Sequence, residues 1–371
     1  MNRRYLKYYL LIIFIISLSY SKDINYKDNM DINKKPNIKS KLKFWTWITA
    51  DPRSDDTTYK KEFQKYAENG IDAIIINTHT SAELLKRLSI LAMDAGLEVH
   101  AWIWTMNRAN DAVALENQDW YAVNRNGESC FKNRPYVNYY QWLCPTRVDS
   151  RNHILKLIKS LTIVDGITSI HLDYIRYSDI YLPIGLQPKY NLVQDREMPE
   201  FDYCYCKTCL KEFETSHGRN PKNLESPELD IEWTNFRLNK IKSIVDDAYK
   251  IVQKQNKKLS AAVFPYPEMA GQMVRQRWDK WDIDMLFPML YHRFYNEEID
   301  WITFATNQGL SDIKYKNQEL HPGIMISSLS PIELSSVIEN ISNTTADGVS
   351  FFNGRSILDE HFEVIKSYKN R

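Results

Sequence analysis

The sequence lacks several features that would assign it quickly to a functional class. Its 48 basic and 47 acidic side chains leave a net charge of +1, too little to attract nucleic acid or an anionic membrane. No GxGxxG segment follows the first apolar run, which argues against a dinucleotide-binding sheet. There is no HExxH motif, and no glycine-rich phosphate loop follows the last two predicted strands. These absences argue against nucleic-acid partners, dinucleotide cofactors and a catalytic zinc.

The N-terminal segment has the pattern of a secretory signal peptide. A basic start is followed by an apolar run over residues 8–18, and small residues suit cleavage before Lys22. An uncleaved membrane anchor is the alternative, but the run is short for a span. We therefore predict a signal peptide over 1–21 and a polar linker over 22–40. The mature protein is then expected to be exported, periplasmic or extracellular, with no membrane attachment.

From residue 41 onwards, apolar runs typical of strands alternate with amphipathic runs typical of helices. Eight strand-like runs can be counted, at 44–49, 72–78, 97–104, 167–174, 259–265, 283–291, 321–328 and 347–353. A doubly wound open sheet is the alternative. The count favours an α/β fold with a single (β/α)8, or TIM, barrel over residues 41–371. An elongated, Cys-containing insertion over 175–225 is predicted after the fourth strand.

Functional residues of such barrels come from the carboxyl ends of the strands. The side chains expected there, polar or aromatic and suited to a neutral, hydroxyl-rich ligand, are Trp47, Asp51, His79, Trp104, Asn107, Arg108, Asp173, Arg176, Tyr291, His292 and Asn353. Trp47, Trp104 and Tyr291 are candidates for stacking on sugar rings, although core packing explains them nearly as well. His79 and His292 are candidates for binding hydroxyls, with a structural role as the alternative.

The fourth predicted strand ends in an acidic residue. Alternation places His171 and Asp173 on the inner face of the barrel, and Ile170 and Leu172 towards the helices. A buried carboxylate is costly unless it is paired or functional. Asp173 is therefore predicted to be catalytic, with a structural ion pair to Arg176 as the alternative.

The segment HLDYIRY (171–177), after VDGI (164–167), resembles the VDG(I/V)HxDYxRYP signature of the glycosyl-hydrolase-like barrels, secreted proteins also called family 10 glycosylhydrolases. The resemblance extends over most of 41–355, through HAWIWTMNR (100–108), WLCPTR (142–147), CYCKTCLKEF (204–213) and FPMLYH (287–292). Ser178 stands where the signature usually has proline. The resemblance implies a fold similar to α-amylases and α-galactosidases, in which an aspartate ending the fourth strand is the nucleophile. It gives that role to Asp173.

Glycoside hydrolysis needs two carboxyl groups. Asp173 would be the nucleophile or charge stabiliser, held ionised by Arg176. For the acid, Glu268 is the first choice because amylase-like barrels place theirs after the fifth strand, and Asp51 is the second; Asp284 is expected at the opposite end of the barrel. The predicted function is an exported glycoside hydrolase acting on O-glycosidic bonds of a poly- or oligosaccharide. A non-catalytic carbohydrate-binding barrel is the alternative, and a barrel lyase or deacetylase is a third.

The cysteines suggest a structural site. A cluster in the insertion offers three thiols and one imidazole at spacings suited to tetrahedral zinc: Cys204, Cys206, Cys209 and His217. The alternative is one disulfide within the insertion and a spare thiol. Cys130 and Cys144, both in the loop after the third strand, could also pair. In each case the role is structural, and no cofactor is expected for catalysis.

Overall fold

The computed structural model describes residues 42–314 and 316–370 of the chain. The predicted signal peptide and linker, residues 1–40, lie outside the described residues. Among the helices that are described, none is both long and apolar enough to cross a bilayer.

Short parallel strands form the centre of the fold. They are β1 (Lys43–Thr49), β2 (Ala73–Asn77), β3 (Glu98–Trp104), β4 (Ser169–Asp173), β5 (Lys258–Val263), β6 (Met285–Pro288), β7 (Glu319–Leu320), β8 (Gly323–Met325) and β9 (Gly348–Phe352). Consecutive strands pair from β1 to β7, and β9 pairs with both β1 and β8. All these pairings are parallel.

Helices connect the strands and surround them. They are α1 (Asp56–Glu68), α2 (Ala82–Asp94), α3 (Ala112–Glu116), α4 (Val148–Thr162), α5 (Lys207–His217), α6 (Ile231–Gln253), α7 (Pro267–Val274), α8 (Asp300–Asp312), α9 (Pro331–Ser342) and α10 (Asp359–Lys369). α2 shows how the sequence sets their ends. Ser81 accepts a hydrogen bond from the Leu84 amide at 3.2 Å, and Gly96 adopts a left-handed φ of +83° just beyond the helix.

The seventh strand, predicted at 321–328, is only partly a strand. β8 lies within that run, β7 comes just before it, and residues 326–328 form a 3₁₀ turn. β7 pairs with β6 and β8 pairs with β9, and His321 and Pro322 lie between them. Proline has no amide hydrogen and cannot donate to the ladder, so the strand is interrupted there. The ring still closes, because the Leu290 amide donates to the Gly323 carbonyl at 2.8 Å. The prediction of a single (β/α)8 barrel is confirmed.

Alternation along the strands divides the core into two parts. Inside the barrel, the indoles of Trp45 and Trp47 pack beside small residues such as Ala73 and Ala262. The other face of each strand packs on the helices, where β2 contributes Ile74 and Ile76. In β4 the His171 ring lies 4.5 Å from the Trp47 ring, while Leu172 belongs to the outer core. The predicted facing of β4 is therefore correct, and it directs Asp173 into the barrel mouth.

The segment 174–230, between β4 and α6, has little regular structure beyond α5. It packs against the loop that follows β3. The Tyr205 amide donates to the Val123 carbonyl at 2.6 Å, and Asn124 forms an isolated antiparallel bridge with Tyr203. These contacts bring the segment over the carboxyl ends of β3 and β4, where it forms part of a cavity wall.

Candidate active site

A cavity of about 400 Å³ opens at the carboxyl ends of the strands. The strand ends contribute one side of its lining and the segment 174–230 contributes much of the other. The predicted site residues that line it are Trp47, Trp104, Asp173, Arg176 and Tyr291. Most of the remaining lining is aromatic, so this is an apolar cavity with a small number of charged groups.

Asp173 is a buried acid in this cavity, with 9% of its surface exposed. Its Oδ2 accepts a hydrogen bond from Trp102 Nε1 at 3.0 Å, and its Oδ1 accepts one from the Tyr174 amide at 2.7 Å. Tyr174 has a left-handed φ of +51° immediately after the strand. Burial raises the pKa of Asp173 to about 6, against the opposing effects of these two hydrogen bonds and of Arg176. Asp173 can therefore carry a proton close to neutral pH.

Arg176 does not form the expected ion pair with Asp173. Its Nη1 lies 3.2 Å from Oδ2 of Asp179, and both side chains are buried. Asp179 lines the same cavity, which makes it the second acid of the site. The sequence interpretation missed Asp179, although an arginine three residues before an aspartate, just beyond the recognised signature, is the signal that could have indicated it.

The Arg176 guanidinium also stacks among aromatic rings. It lies 4.7 Å from the centroid of Trp142, 5.3 Å from that of Tyr174 and 4.9 Å from that of Phe264. Such contacts stabilise a cation removed from water. Arg176 therefore holds both Asp179 and the aromatic wall in place.

The aromatic candidates differ in how much surface they offer. Trp47 is only 3% exposed and packs edge-on against Trp102, with ring centroids 5.2 Å apart, so core packing explains most of its position. Trp104 and Tyr291 are partly exposed in the cavity and can offer ring surface to a ligand. Burial, followed by the charge of Asp173, raises the pKa of Tyr291 well above its usual range. Its hydroxyl is therefore a neutral hydrogen-bonding group.

A second cavity of about 260 Å³ adjoins the first and shares Trp102 and Trp104 with it. Its lining brings together three predicted binding residues, His79, Asn107 and Arg108. The Arg108 guanidinium is held by the carboxylate of Asp111 at 2.5 Å and by the Trp104 carbonyl at 2.8 Å. A larger share of its lining residues is polar than in the first cavity, and the two indoles line both spaces.

The two carboxylates expected to supply the acid lie outside both cavities. Glu268 is exposed in the first turn of α7, which Pro267 starts four residues beyond the end of β5. Asp51 pairs with exposed Arg53 at 3.0 Å, and this partner lowers the pKa of Asp51 to about 2. Neither position is that of a proton donor to a ligand in the cavity.

Two further candidates also lie beside the cavities rather than in their lining. His292 is buried at the start of a short 3₁₀ turn, and burial lowers the pKa of its imidazole. Asn353 follows the cavity residue Phe352, and its Oδ1 accepts a hydrogen bond from Ser356 at 3.3 Å. Both fit structural roles at the rim.

The cysteine cluster has a different fourth member from the one expected. The sulfurs of Cys144, Cys204, Cys206 and Cys209 all lie within 4.8 Å of one another. His217 is at the far end of α5, where eight residues of helix from Cys209 correspond to about 12 Å, and its ring stacks on Phe213 at 4.1 Å. The expectation that His217 completes the site was wrong.

The suggested pairing of Cys130 with Cys144 is also wrong. All five cysteines lie in the described ranges and none forms a disulfide. The Cys130 sulfur instead donates a hydrogen bond to the Trp142 carbonyl at 3.1 Å, and burial raises the pKa of this thiol to about 12. Cys130 is therefore a buried thiol apart from the cluster.

Comparison with known proteins shows that several solved glycoside hydrolases have a similar fold. No protein-family model matches the chain, and no curated protein sequence matches it. Among solved structures, the glycoside hydrolase domain of PgaB (BpsB) from Bordetella bronchiseptica superposes with a TM-score of 0.65 at 10% identity, covering 88% of this chain and 98% of that one. The catalytic domain of β-amylase from Paenibacillus polymyxa gives 0.63 at 12% identity, covering 88% and 97%.

A third neighbour is the endo-β-1,4-mannanase from Thermotoga petrophila, with a TM-score of 0.56 at 10% identity, covering 90% of this chain and 77% of the mannanase. At such identities the shared property is the barrel fold. The barrel is thus similar in fold to these three proteins, and the chemistry of this chain follows from its own cavity.

Proposed function

We propose that the protein is an exported glycoside hydrolase that cleaves O-glycosidic bonds of a poly- or oligosaccharide. The observation that carries the proposal is Asp173, a buried acid at the end of β4, facing an aromatic cavity with a pKa raised to about 6. A carboxyl group that is protonated near neutral pH is what protonation of a leaving glycosidic oxygen needs. The barrel architecture, shared with glycoside hydrolases, supports the same assignment.

The two acids of the cavity suggest a division of roles. The nucleophile role implied for Asp173 by the family resemblance needs an ionised carboxylate, whereas its raised pKa favours the proton donor. Asp179, paired with Arg176, is the carboxylate available for the second role, attack on the sugar or activation of a water. The reaction needs no cofactor in this scheme.

The lining of the two cavities supports a carbohydrate ligand longer than one sugar. Trp104 and Tyr291 offer aromatic surface for the apolar faces of pyranose rings, and Tyr291 can also bond to hydroxyls. Beyond Trp102 and Trp104, the second cavity offers the polar groups of His79, Asn107 and Arg108. A chain lying across these indoles would place one sugar unit in each space.

Export is supported by the basic start and apolar run at the N-terminus, which are typical of a secretory signal. Cleavage before Lys22 would release a mature chain to the periplasm or the exterior. The intact mass of the protein recovered outside the cytoplasm tests this directly, since a retained segment 1–21 would contradict it.

The decisive experiment compares Asp173→Asn with Asp94→Asn, a control at the exposed end of α2. The purified proteins are assayed for release of reducing ends from a broad panel of glycans, and glycan binding is measured by calorimetry. We expect Asp173→Asn to lower kcat by about 10²-fold or more, the range typical of lost acid catalysis, with binding retained. The control should match the wild type.

Two results would contradict the proposal. If Asp173→Asn keeps full activity on a substrate that the wild type cleaves, the acid lies elsewhere. If the wild type binds glycans but cleaves none of them, the protein is a carbohydrate-binding barrel without catalysis.

A further inference from the structure

Four cysteine sulfurs lie close together beside the cavity wall. Cys144 Sγ lies 3.4 Å from Cys206 Sγ and 3.5 Å from Cys209 Sγ, and Cys206 and Cys209 are also 3.5 Å apart. Cys204 completes the group, with all four sulfurs within 4.8 Å of one another. Three of the four cysteines are fully buried.

These distances fit a metal ion better than a disulfide. A disulfide joins two sulfurs at about 2.05 Å, far less than the separations found here. A tetrahedral zinc ion with Zn–S bonds of about 2.3 Å places its sulfur ligands about 3.8 Å apart. The observed spacing is close to that value and involves all four cysteines rather than two.

The hydrogen bonds around the sulfurs provide a second, independent indication. The Val123 amide donates to Cys204 Sγ at 3.4 Å, and the Cys209 amide donates to Cys206 Sγ at 3.5 Å. Cys206 is the N-cap of α5, where the helix favours negative charge. The Cys209 sulfhydryl donates to Thr146 Oγ1 at 3.1 Å, and the same hydroxyl can donate in return to a Cys209 thiolate. Donors directed at sulfur stabilise thiolates, the form that binds metal.

We propose that Cys144, Cys204, Cys206 and Cys209 form a tetrathiolate zinc site. Four sulfur ligands leave no open position for water or substrate, so the site is structural. It is independent of the proposed glycosidase activity and takes no part in that chemistry. Three ligands come from the segment 174–230 and the fourth from the loop after β3.

The position of the site indicates what the metal does for the molecule. Cys144 is two residues from Trp142, whose ring supports the Arg176 guanidinium in the cavity wall. Bound zinc would join two loops that together form this wall and that have little regular structure of their own. Loss of the metal should therefore loosen the wall while leaving the barrel strands paired.

The cysteines and His217 allow a matched test. The full-length mature chain, purified without chelator, is analysed for metal by mass spectrometry, together with Cys144→Ser, Cys130→Ser and His217→Ala. We expect about one zinc ion per chain in the wild type, Cys130→Ser and His217→Ala. Cys144→Ser should lose most of the metal, because it removes a ligand.

The wild type alone provides a second test, should Cys144→Ser fail to fold. After unfolding in chelator, all five cysteines should react with a thiol reagent. Reconstitution with Co²⁺ in place of zinc should give the intense visible and near-ultraviolet absorption of four-sulfur coordination. Two missing thiols would show a disulfide, bound iron would show a different centre, and metal loss in His217→Ala equal to that in Cys144→Ser would show the wrong ligand set. Each of these results overturns the proposal.

Discussion

The barrel and the segment 174–230 both bury backbone polar groups, but they provide hydrogen-bond partners for these groups in different ways. In the barrel, strand pairing satisfies the backbone, so the side chains can be apolar: Ile74, Ile75 and Ile76 in β2 are fully buried. The segment contains no strand, and several of its backbone groups bond to side chains. Arg125 donates to the Glu197 carbonyl at 2.7 Å, for example.

The segment 174–230 also buries charged side chains, which pair with one another or with neighbouring groups. Asp202, fully buried in the segment, accepts hydrogen bonds from the Arg237 guanidinium and, at 2.6 Å, from the Tyr205 hydroxyl. Arg275 and Glu197 form another buried pair at 2.5 Å. Irregular chain can be buried only if its polar groups find partners. We therefore expect the barrel to tolerate the loss of side-chain volume better than the segment tolerates the loss of a polar partner.

The largest expected effect comes from removing one charge in the segment. Asp202→Asn leaves Arg237 buried with no full counter-charge, which should cost about 3–5 kcal/mol in the free energy of unfolding. Urea denaturation followed by circular dichroism measures the loss. A double variant, Asp202→Leu with Arg237→Met, should lose less than the single change because neither charge remains.

A barrel substitution provides the comparison. Ile76→Val removes one buried methylene carbon and should lower the free energy of unfolding by about 0.5–1.5 kcal/mol. If it destabilises the protein as much as Asp202→Asn does, the proposed contrast between the two regions fails.

The next effect is the pH dependence of stability that Asp173 causes where the barrel meets the segment 174–230. Asp173 ends β4, and its pKa is raised from 3.8 to about 6, so the folded state binds the proton more tightly than the unfolded state does. The contribution of Asp173 to stability is therefore full at low pH and is lost as pH rises from 4 through 6, by about 3 kcal/mol in total. Asp173→Asn should remove this dependence in denaturation curves recorded between pH 4 and pH 8. An unchanged pH profile would show that Asp173 titrates normally.

A smaller effect than that of Asp202→Asn is expected in a single amide network. The Leu182 amide donates to Gln194 Oε1 at 2.7 Å, and Gln194 Nε2 donates to the Ile180 carbonyl at 3.2 Å. Gln194→Ala leaves the Leu182 amide and the Ile180 carbonyl without these partners and should lower the free energy of unfolding by about 1–3 kcal/mol. Gln64→Ala, on the exposed face of α1, should change stability by less than about 0.5 kcal/mol. Equal effects of the two changes in thermal unfolding would contradict this role of Gln194.

Much of the barrel could be predicted from the sequence. Apolar runs and helix stops such as Gly96 depend on neighbouring residues, and local signals of this kind can be read directly. The same signals placed Asp173 at the barrel mouth. They also predicted one strand over 321–328, because the effect of Pro322 on pairing depends on the neighbouring strands.

The partners of the site residues were harder to predict, for physical reasons. Cys144 meets Cys206 across 62 residues, and no local pattern indicates such a contact. His217 lay close to the cysteines in sequence, but the intervening helix carries it away from them. Arg176 was assigned to Asp173 because of proximity in the chain, whereas the turn after β4 directs it to Asp179.

The hydrogen bond from the Trp102 indole to Asp173 makes tryptophan fluorescence a reporter of the charge on this carboxyl group. An indole whose Nε1 is bonded to a titrating carboxyl group experiences a change in local electric field when the proton leaves, and its emission shifts accordingly. The fluorescence of Trp102 should therefore follow the ionisation of Asp173 near pH 6. Trp102→Phe should abolish the pH-dependent shift, which assigns the signal to this indole. The ionisation of Asp173 can then be followed by fluorescence before any substrate is known.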